Sequence, residues 1–384
     1  MSPTSAPQAD VTVSVWNRFW SFELVNGLVN AGYRVQYVGT TRRRTAAQAH
    51  YTCWAASCLT LASHLVSRCG WGEGPSARLR EAALPVFERY ASRYAARGRC
   101  FWAWNGHNLA GCRRAKEAGI PVVVETGSTH ALWQQERLES EYGKHGIAWS
   151  PADRERIETA RQEYELADRI VAPSRFVERT FLEEGVDRAK LSVNPFGVDA
   201  SFWKIERQAP SGRPFTVVYA AALTLRKGIE YLIAAWKRAA LKDARLLLVG
   251  GAGGDARPLV ATLPGNVTWL GFQTHGVLRE TYRDCDLYVL PSLEEGMARS
   301  VIEAMAAGLP VVVTEETGMT DVMVDSEDGF VVPAMNADVL AQALRKAAGD
   351  RARLVEMGRS AQRRVAGYTW AAYGRRGAEI LRTI

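Results

Sequence analysis

Residues 291–314, PSLEEGMARSVIEAMAAGLPVVVT, concentrate the groups best able to do chemistry. Glu295 and Glu303 are carboxylates separated by seven residues, with Gly296, Met297, Ala298 and Arg299 between them. The apolar runs Leu287–Leu290 and Val311–Val313 read as strands, so the two acids fall on a strand–loop–helix unit. The helix is expected to begin near Ala298, with Glu295 in the loop and Glu303 inside the helix. Free N–H groups from Gly296 to Arg299, reinforced by the helix dipole, favour an anion. A carboxylate beside such a cradle repels phosphate and is better suited to accepting hydrogen bonds from hydroxyls. Two acids and an amide cradle therefore fit a ligand with a phosphate and two sets of hydroxyls, which describes a nucleotide sugar.

The elements that must position these residues alternate in a regular way. Strands are expected at 11–15, 35–38, 100–104, 121–125 and 169–172, with helices at 21–30, 107–118, 153–167 and 174–184. Ser174 and Gly185 are the natural start and stop of the last helix. After the turn-rich stretch 199–214 a second series runs through strands at 215–221, 245–249, 267–271, 287–291, 310–314 and 329–332. Continuous apolar strands between helices argue for parallel sheets covered on both faces. The fold class is thus α/β with two doubly wound, Rossmann-like domains, and 384 residues suit two domains. In such folds ligands bind beyond the carboxyl ends of the strands.

The six cysteines show no metal-ligand spacing, and the start MSPTSAPQAD has no apolar h-region and is expected to be a polar tail. No run is long enough to span a bilayer. A cytoplasmic or membrane-peripheral protein is expected. Its charge is lopsided: residues 1–120 hold 15 Lys/Arg and 6 Asp/Glu, net +9, against a net of −2 for the rest. An anionic partner for the N-terminal half follows, a phosphorylated acceptor or an anionic membrane surface. No nucleic-acid motif accompanies the charge, so nucleic acid is not expected.

The segment from Glu295-Gly296 to Glu303-Ala304-Met305-Ala306-Ala307-Gly308-Leu309-Pro310-Val311 resembles the Glu-x7-Glu signature of glycosyltransferase family 4, retaining enzymes of GT-B fold. Further pieces match in order. They are Glu125–His130 with Leu138–Tyr142, Pro195-Phe196-Gly197-Val198-Asp199, Leu223–Gly228, Leu248–Gly251 and Val267–Gly271. The resemblance implies an acceptor-side domain at 1–199 and a nucleotide-sugar domain at 200–367, with a helix at 368–384 packing back on the first. It implies that Glu303 holds the ribose, Glu295 the donor sugar, and Arg226 and Lys227 the diphosphate beside the 296–299 amides. His130 would reach the sugar from the N-terminal domain. Gly271 and Phe272 would line the base pocket, with Gly250 nearby. Retention without a protein nucleophile, by a front-face route, is the family's usual proposal. The donor would be a UDP-, GDP- or ADP-sugar and the acceptor a glycan, lipid-linked, phosphorylated or small molecule. No metal or other cofactor is expected to be required.

Three departures from the family pattern stand out. Ala221-Ala222-Leu223 replaces the usual Gly-Arg-Leu, Met297-Ala298 replaces Phe-Gly, and Trp16-Asn17-Arg18-Phe19-Trp20 stands where relatives carry a glycine-rich loop. Trp16, Trp20, Trp102 and Trp104 suggest an aromatic-lined acceptor site, to which Asn105 and His107 are further candidates. Asp284-Cys285-Asp286 looks like a metal-binding Asp-x-Asp but precedes its strand, at the wrong end for the crevice. The missing glycine loop argues against a nucleotide-dependent oxidoreductase on the same architecture. A catalytically silent scaffold binding sugar nucleotide or glycan, and a sugar-nucleotide epimerase, are the remaining alternatives.

Overall fold

The computed structural model describes residues 9–16, 19–41, 45–68, 73–148, 151–206 and 212–384. Asn17, Arg18, Arg42–Arg44 and the first eight residues, on which some expectations fell, lie outside them. The N-terminal sheet has seven strands: β1 (Ala9–Val15), β2 (Val35–Gly39), β3 (Ala49–Thr52), β4 (Gly98–Trp104), β5 (Val122–Glu125), β6 (Arg169–Ala172) and β7 (Leu191–Val193). Their spatial order is 3-2-1-4-5-6-7, all parallel. The second sheet has six: β8 (Phe215–Ala220), β9 (Ala244–Val249), β10 (Val267–Trp269), β11 (Leu287–Leu290), β12 (Val311–Thr314) and β13 (Gly329–Val332). It runs 10-9-8-11-12-13 and is also parallel.

Helices cover both faces, which is why Val122–Val124 and Val311–Val313 are entirely buried and carry no alternation. Each sheet reverses its strand order once, between β1 and β4 and between β8 and β11. Crevices therefore open beyond the carboxyl ends of those four strands. Ser174 accepts a hydrogen bond from the Val177 amide at 3.2 Å, and Gly185 ends that helix at a φ of 82°.

The region 40–97 holds elements that the pattern did not disclose: β3 and helices Trp54–Arg68 and Glu73–Ala95. The helices pack on each other as well as on the sheet, so neither shows one clean apolar stripe. They cover Trp16, Val38 and Cys53 with Ala56, Ala83, Phe87 and Ala91.

The C-terminal helix Trp370–Leu381 crosses to helix Ser21–Asn30 of the N-terminal half. The two backbones nearly touch, since a Cβ added to Gly27 would lie 2.2 Å from the Cα of Gly374. Arg376 donates to the side chain of Asn194 at 3.1 Å and to the Pro195 carbonyl at 2.9 Å, pinning the helix to the turn between the sheets. Deeper, the Tyr373 hydroxyl donates to Glu125, a buried carboxylate at the end of β5 that also accepts from the indoles of Trp20 and Trp102. Gly27→Ala is expected to lower unfolding free energy by roughly 1–3 kcal/mol through overpacking of this crossing. An unchanged midpoint in urea would show that the two helices are not docked in this way.

Candidate active site

The loops after β8 and β11 are built against each other. Thr224 caps the single turn Leu225–Lys227, its Oγ1 accepting from the Lys227 amide at 3.3 Å. Gly228 follows at a φ of 70°, and the Pro291 carbonyl oxygen would lie 1.9 Å from any Cβ there. The Leu293 amide donates to the Arg226 carbonyl at 2.9 Å. This zipper sets Arg226 and Lys227 opposite the acids of the second loop. Lys227 Nζ pairs with Glu295 Oε1, which also accepts from Ser292 Oγ at 3.1 Å.

Arg226 pairs with Glu294, a residue that the sequence reading passed over. Glu294 is fully buried and joins the two halves of the molecule. Its Oε1 accepts from the Ser128 hydroxyl (2.5 Å), the Thr129 amide (3.0 Å) and the Thr129 hydroxyl (2.8 Å). Its Oε2 accepts from Gln134 Nε2 and Arg226 Nε, both at 2.8 Å. Arg226 Nη2 closes the ring by donating to Ser128 Oγ at 3.1 Å. Burial pushes the Glu294 carboxyl up, but the Arg226 charge and the donors from 128, 129 and 134 outweigh it, leaving it at about 2. Nothing in a single sequence distinguishes Glu294 from the adjacent Glu295, because its partners come from 68 residues away at Arg226 and from 160 or more at Ser128, Thr129 and Gln134.

Other interdomain contacts surround this hub. Arg137 pairs with Glu316, the Tyr231 hydroxyl donates to Glu141 at 2.7 Å, and the Tyr142 hydroxyl to Asp255 at 3.1 Å. Gly296 lies so near Gly127 that a Cβ would meet the Gly127 carbonyl oxygen at 2.1 Å, and its own carbonyl accepts from Ser174 Oγ at 2.6 Å. Of the expected amide cradle, Ala298 donates to the Thr317 carbonyl at 3.1 Å, and Met297 Sδ accepts from the Phe196 amide. The helix begins at Arg299.

Glu303 and Arg299 face a 580 Å³ cavity that both domains line. Phe19, Trp20 and Glu23 contribute from the N-terminal domain, His275 and Gly276 from the helix after β10. Burial pushes the Glu303 carboxyl up to about 7, with Arg299 pulling in the other direction. A carboxyl so desolvated lacks the donors that would hold its charge, and ligand hydroxyls could supply them.

Several expected residues stand elsewhere. His130 caps helix Ala131–Gly143, its Nδ1 accepting from the Leu132 amide at 3.4 Å. The ring lies against Tyr164 and Phe181, and burial lowers it to about 4. No hydrogen bond joins it to either glutamate of the motif. Gly250 donates its amide to the Gly271 carbonyl at 2.8 Å, and Phe272 is 80% exposed; neither Gly271 nor Phe272 lines the cavity. Of the four tryptophans, all buried, Trp20 alone lines this cavity; Trp16 packs edge-on to Phe87, the Trp102 indole donates to Glu125, and Trp104 packs in the domain core. Asn105 donates to the Tyr164 hydroxyl at 2.8 Å, and His107 lines a separate 270 Å³ cavity with Glu81, Glu88 and Arg156. Asp286 is bound by Arg213 and Arg351, at the amino end of β11. Ligand atoms of Glu141, His145 and Glu230 lie within 4.8 Å of one another, but Tyr231 and Lys144 already occupy Glu141.

Two family descriptions match consecutive parts of this chain: "Glycosyltransferase Family 4" over residues 21–202 and "Glycosyl transferases group 1" over 201–364. The chain belongs to glycosyltransferase family 4. D-inositol 3-phosphate glycosyltransferase of Nocardia farcinica is 32% identical to this family-4 chain over 227 residues, 53% of the chain and 50% of the relative. The chain thus matches about half the length of that relative. Alpha-D-kanosaminyltransferase of Streptomyces kanamyceticus is 26% identical over 289 residues, 69% of this chain and 71% of the relative. Among solved structures, sucrose-phosphate synthase from Thermosynechococcus elongatus superposes with a TM-score of 0.71 at 21% identity, covering 97% of this chain and 98% of that one. Anabaena HepE in complex with UDP and glucose gives 0.69 at 16% identity, covering 98% and 100%. The architecture is GT-B.

Removing the hub charge has a defined cost. With its carboxyl held at about 2 against a usual 4.5, Glu294 contributes about 3 kcal/mol to stability. That contribution is complete above pH 4.5 and is lost as pH falls through 2. Glu294→Ala is expected to lower stability at pH 7 by roughly 3–5 kcal/mol, since Arg226 is left without its partner. Urea unfolding at pH 7 checks this; a loss below 1 kcal/mol would mean the pair behaves as a surface contact.

Proposed function

We propose that this protein transfers a sugar from a nucleotide-sugar donor to a glycan, lipid-linked or small-molecule acceptor, with retention of anomeric configuration and without a required metal. The observation that carries the reading is Glu303 with Arg299 in a cavity walled by both domains, beyond the carboxyl end of β11. HepE, described with UDP and glucose, supports the choice of donor class. Glu303 accepts from the ribose hydroxyls, and Glu295 from the donor sugar. Lys227 neutralises the departing diphosphate, which itself removes the acceptor proton, so that the protein supplies orientation and fixed charge. Arg226, tied to Glu294 and Ser128, acts on that diphosphate from a position set by domain closure. His130 serves as a positioning residue: it caps the helix that presents Gln134 to Glu294. We take the acceptor-side domain as 1–199 and the nucleotide-sugar domain as 200–367, with 368–384 assigned to the first, a division that the contact of helix Trp370–Leu381 with helix Ser21–Asn30 supports.

A thermal-shift panel of UDP-, GDP-, ADP- and TDP-sugars, with and without EDTA, tests the donor. Stabilisation by one nucleotide class regardless of EDTA is expected; no shift with any donor would favour a silent scaffold. Glu303→Ala should abolish that shift, whereas His130→Ala should keep it and lower transfer. Equal nucleotide affinity in Glu303→Ala and the parent would remove the ribose assignment.

The pH dependence of Glu303 runs opposite to that of Glu294. Its carboxyl is raised from 4.5 to about 7, so ionisation burdens the folded state increasingly from pH 4.5 to 7. Glu303→Gln should therefore melt higher than the parent at pH 8 and alike at pH 4.5, while losing nucleotide. A parent that matches the variant at both pH values would contradict the burial of this charge.

A further inference from the structure

Residues 40–99 contain ten arginines, three glutamates and no lysine or aspartate, a net of +7 that equals the charge of the whole chain. Helix Trp54–Arg68 lies within this stretch and contains no acid. Its inner side carries the small residues Ala56 and Ser63, both buried, with Leu59 packed partly buried against the same cluster. Three of its large apolar residues point the other way: Trp54, Leu61 and Leu65 are 53, 59 and 54% exposed, and Cys58 is exposed between them. The spacing 54, 58, 61, 65 draws one stripe along the helix. A helix that served only its own core would carry the leucines inside and the small residues outside.

We infer that this face docks on an anionic lipid surface. The stripe suits the depth of a headgroup boundary, and the charge around it suits anionic headgroups. Ser76 Oγ donates to the Ser63 carbonyl at 2.9 Å and accepts from Arg80 Nη1 at 2.8 Å, placing an exposed arginine along the flank of the helix. Among the described residues no helix is long and apolar enough to cross a membrane, so contact is along the surface. On its inner side the helix shares a cluster with Trp16, the first residue beyond β1, so a docked molecule presents that strand end close to the lipid. The inference extends the lipid-linked acceptor proposed above, and its test reads binding alone.

The full chain is sedimented with phosphatidylcholine vesicles with and without phosphatidylglycerol, at low and high salt, beside Leu61→Ser/Leu65→Ser and Arg78→Ser/Arg80→Ser variants. Expected is salt-sensitive binding to the anionic vesicles only, weakened at least roughly fivefold in each variant, with unchanged melting temperature and donor shift. Equal binding to neutral vesicles, or undiminished binding of the leucine variant, overturns it. So does light scattering that shows a dimer which the leucine variant dissolves, since a second copy would then cover the face. Because donor shift is measured on the same samples, loss of donor binding with vesicle binding intact would count against the proposed function alone.

Discussion

The arrangement of the cleft depends on one buried carboxylate. Glu294 has no exposure to water, and its two oxygens accept five hydrogen bonds, four of them from the opposite domain. An ionised carboxylate without water is tolerable only when such donors and a neighbouring cation replace its hydration. The donors at Ser128, Thr129 and Gln134 are in place only when the domains are together. The orientation of Arg226 therefore depends on the contact between the domains, because the guanidinium bridges Glu294 and Ser128. Opening would leave Glu294 to its own-domain arginine and to solvent.

A second buried carboxylate performs a comparable task for the frame around the cleft. Glu125 gathers two indoles and the Tyr373 hydroxyl, so the last helix is bound to the end of β5 as well as to helix Ser21–Asn30. Burial raises its carboxyl to about 7 even with those three donors, which marks the site as apolar in its surroundings. The same β5 end continues into Gly127 and Ser128, and the helix beyond it is capped by His130. The loop that meets Glu294 is thus held from both sides.

The two motif glutamates live in contrasting environments. Glu295 is neutralised by Lys227 and steadied by Ser292, whereas Glu303 faces a cavity with only Arg299 for compensation. A group kept at a disadvantage by burial gains most from a ligand that donates hydrogen bonds. That difference supports separate duties for two acids that look equivalent on paper.

The sequence by itself determined the two parallel sheets, their strand ends and the placement of Glu295 and Glu303 on a loop and helix beyond β11. Those follow from local pattern: unbroken apolar strands, a capping serine at 174, glycines where φ must be positive. It left β3, β7 and the helices of 54–95 unmarked, because β3 (AHYT) and β7 (LSV) are half-buried edge strands without an apolar run, and helices packed on several sides give no clean period. Tertiary structure alone decided which acid is buried at 294, that Arg226 is bound to it, that His130 turns toward Tyr164 and Phe181, and that Trp102 hydrogen-bonds Glu125. The physical reason is common to all four: each depends on donors, charges or rings supplied from other elements, and spacing along one chain carries no record of them.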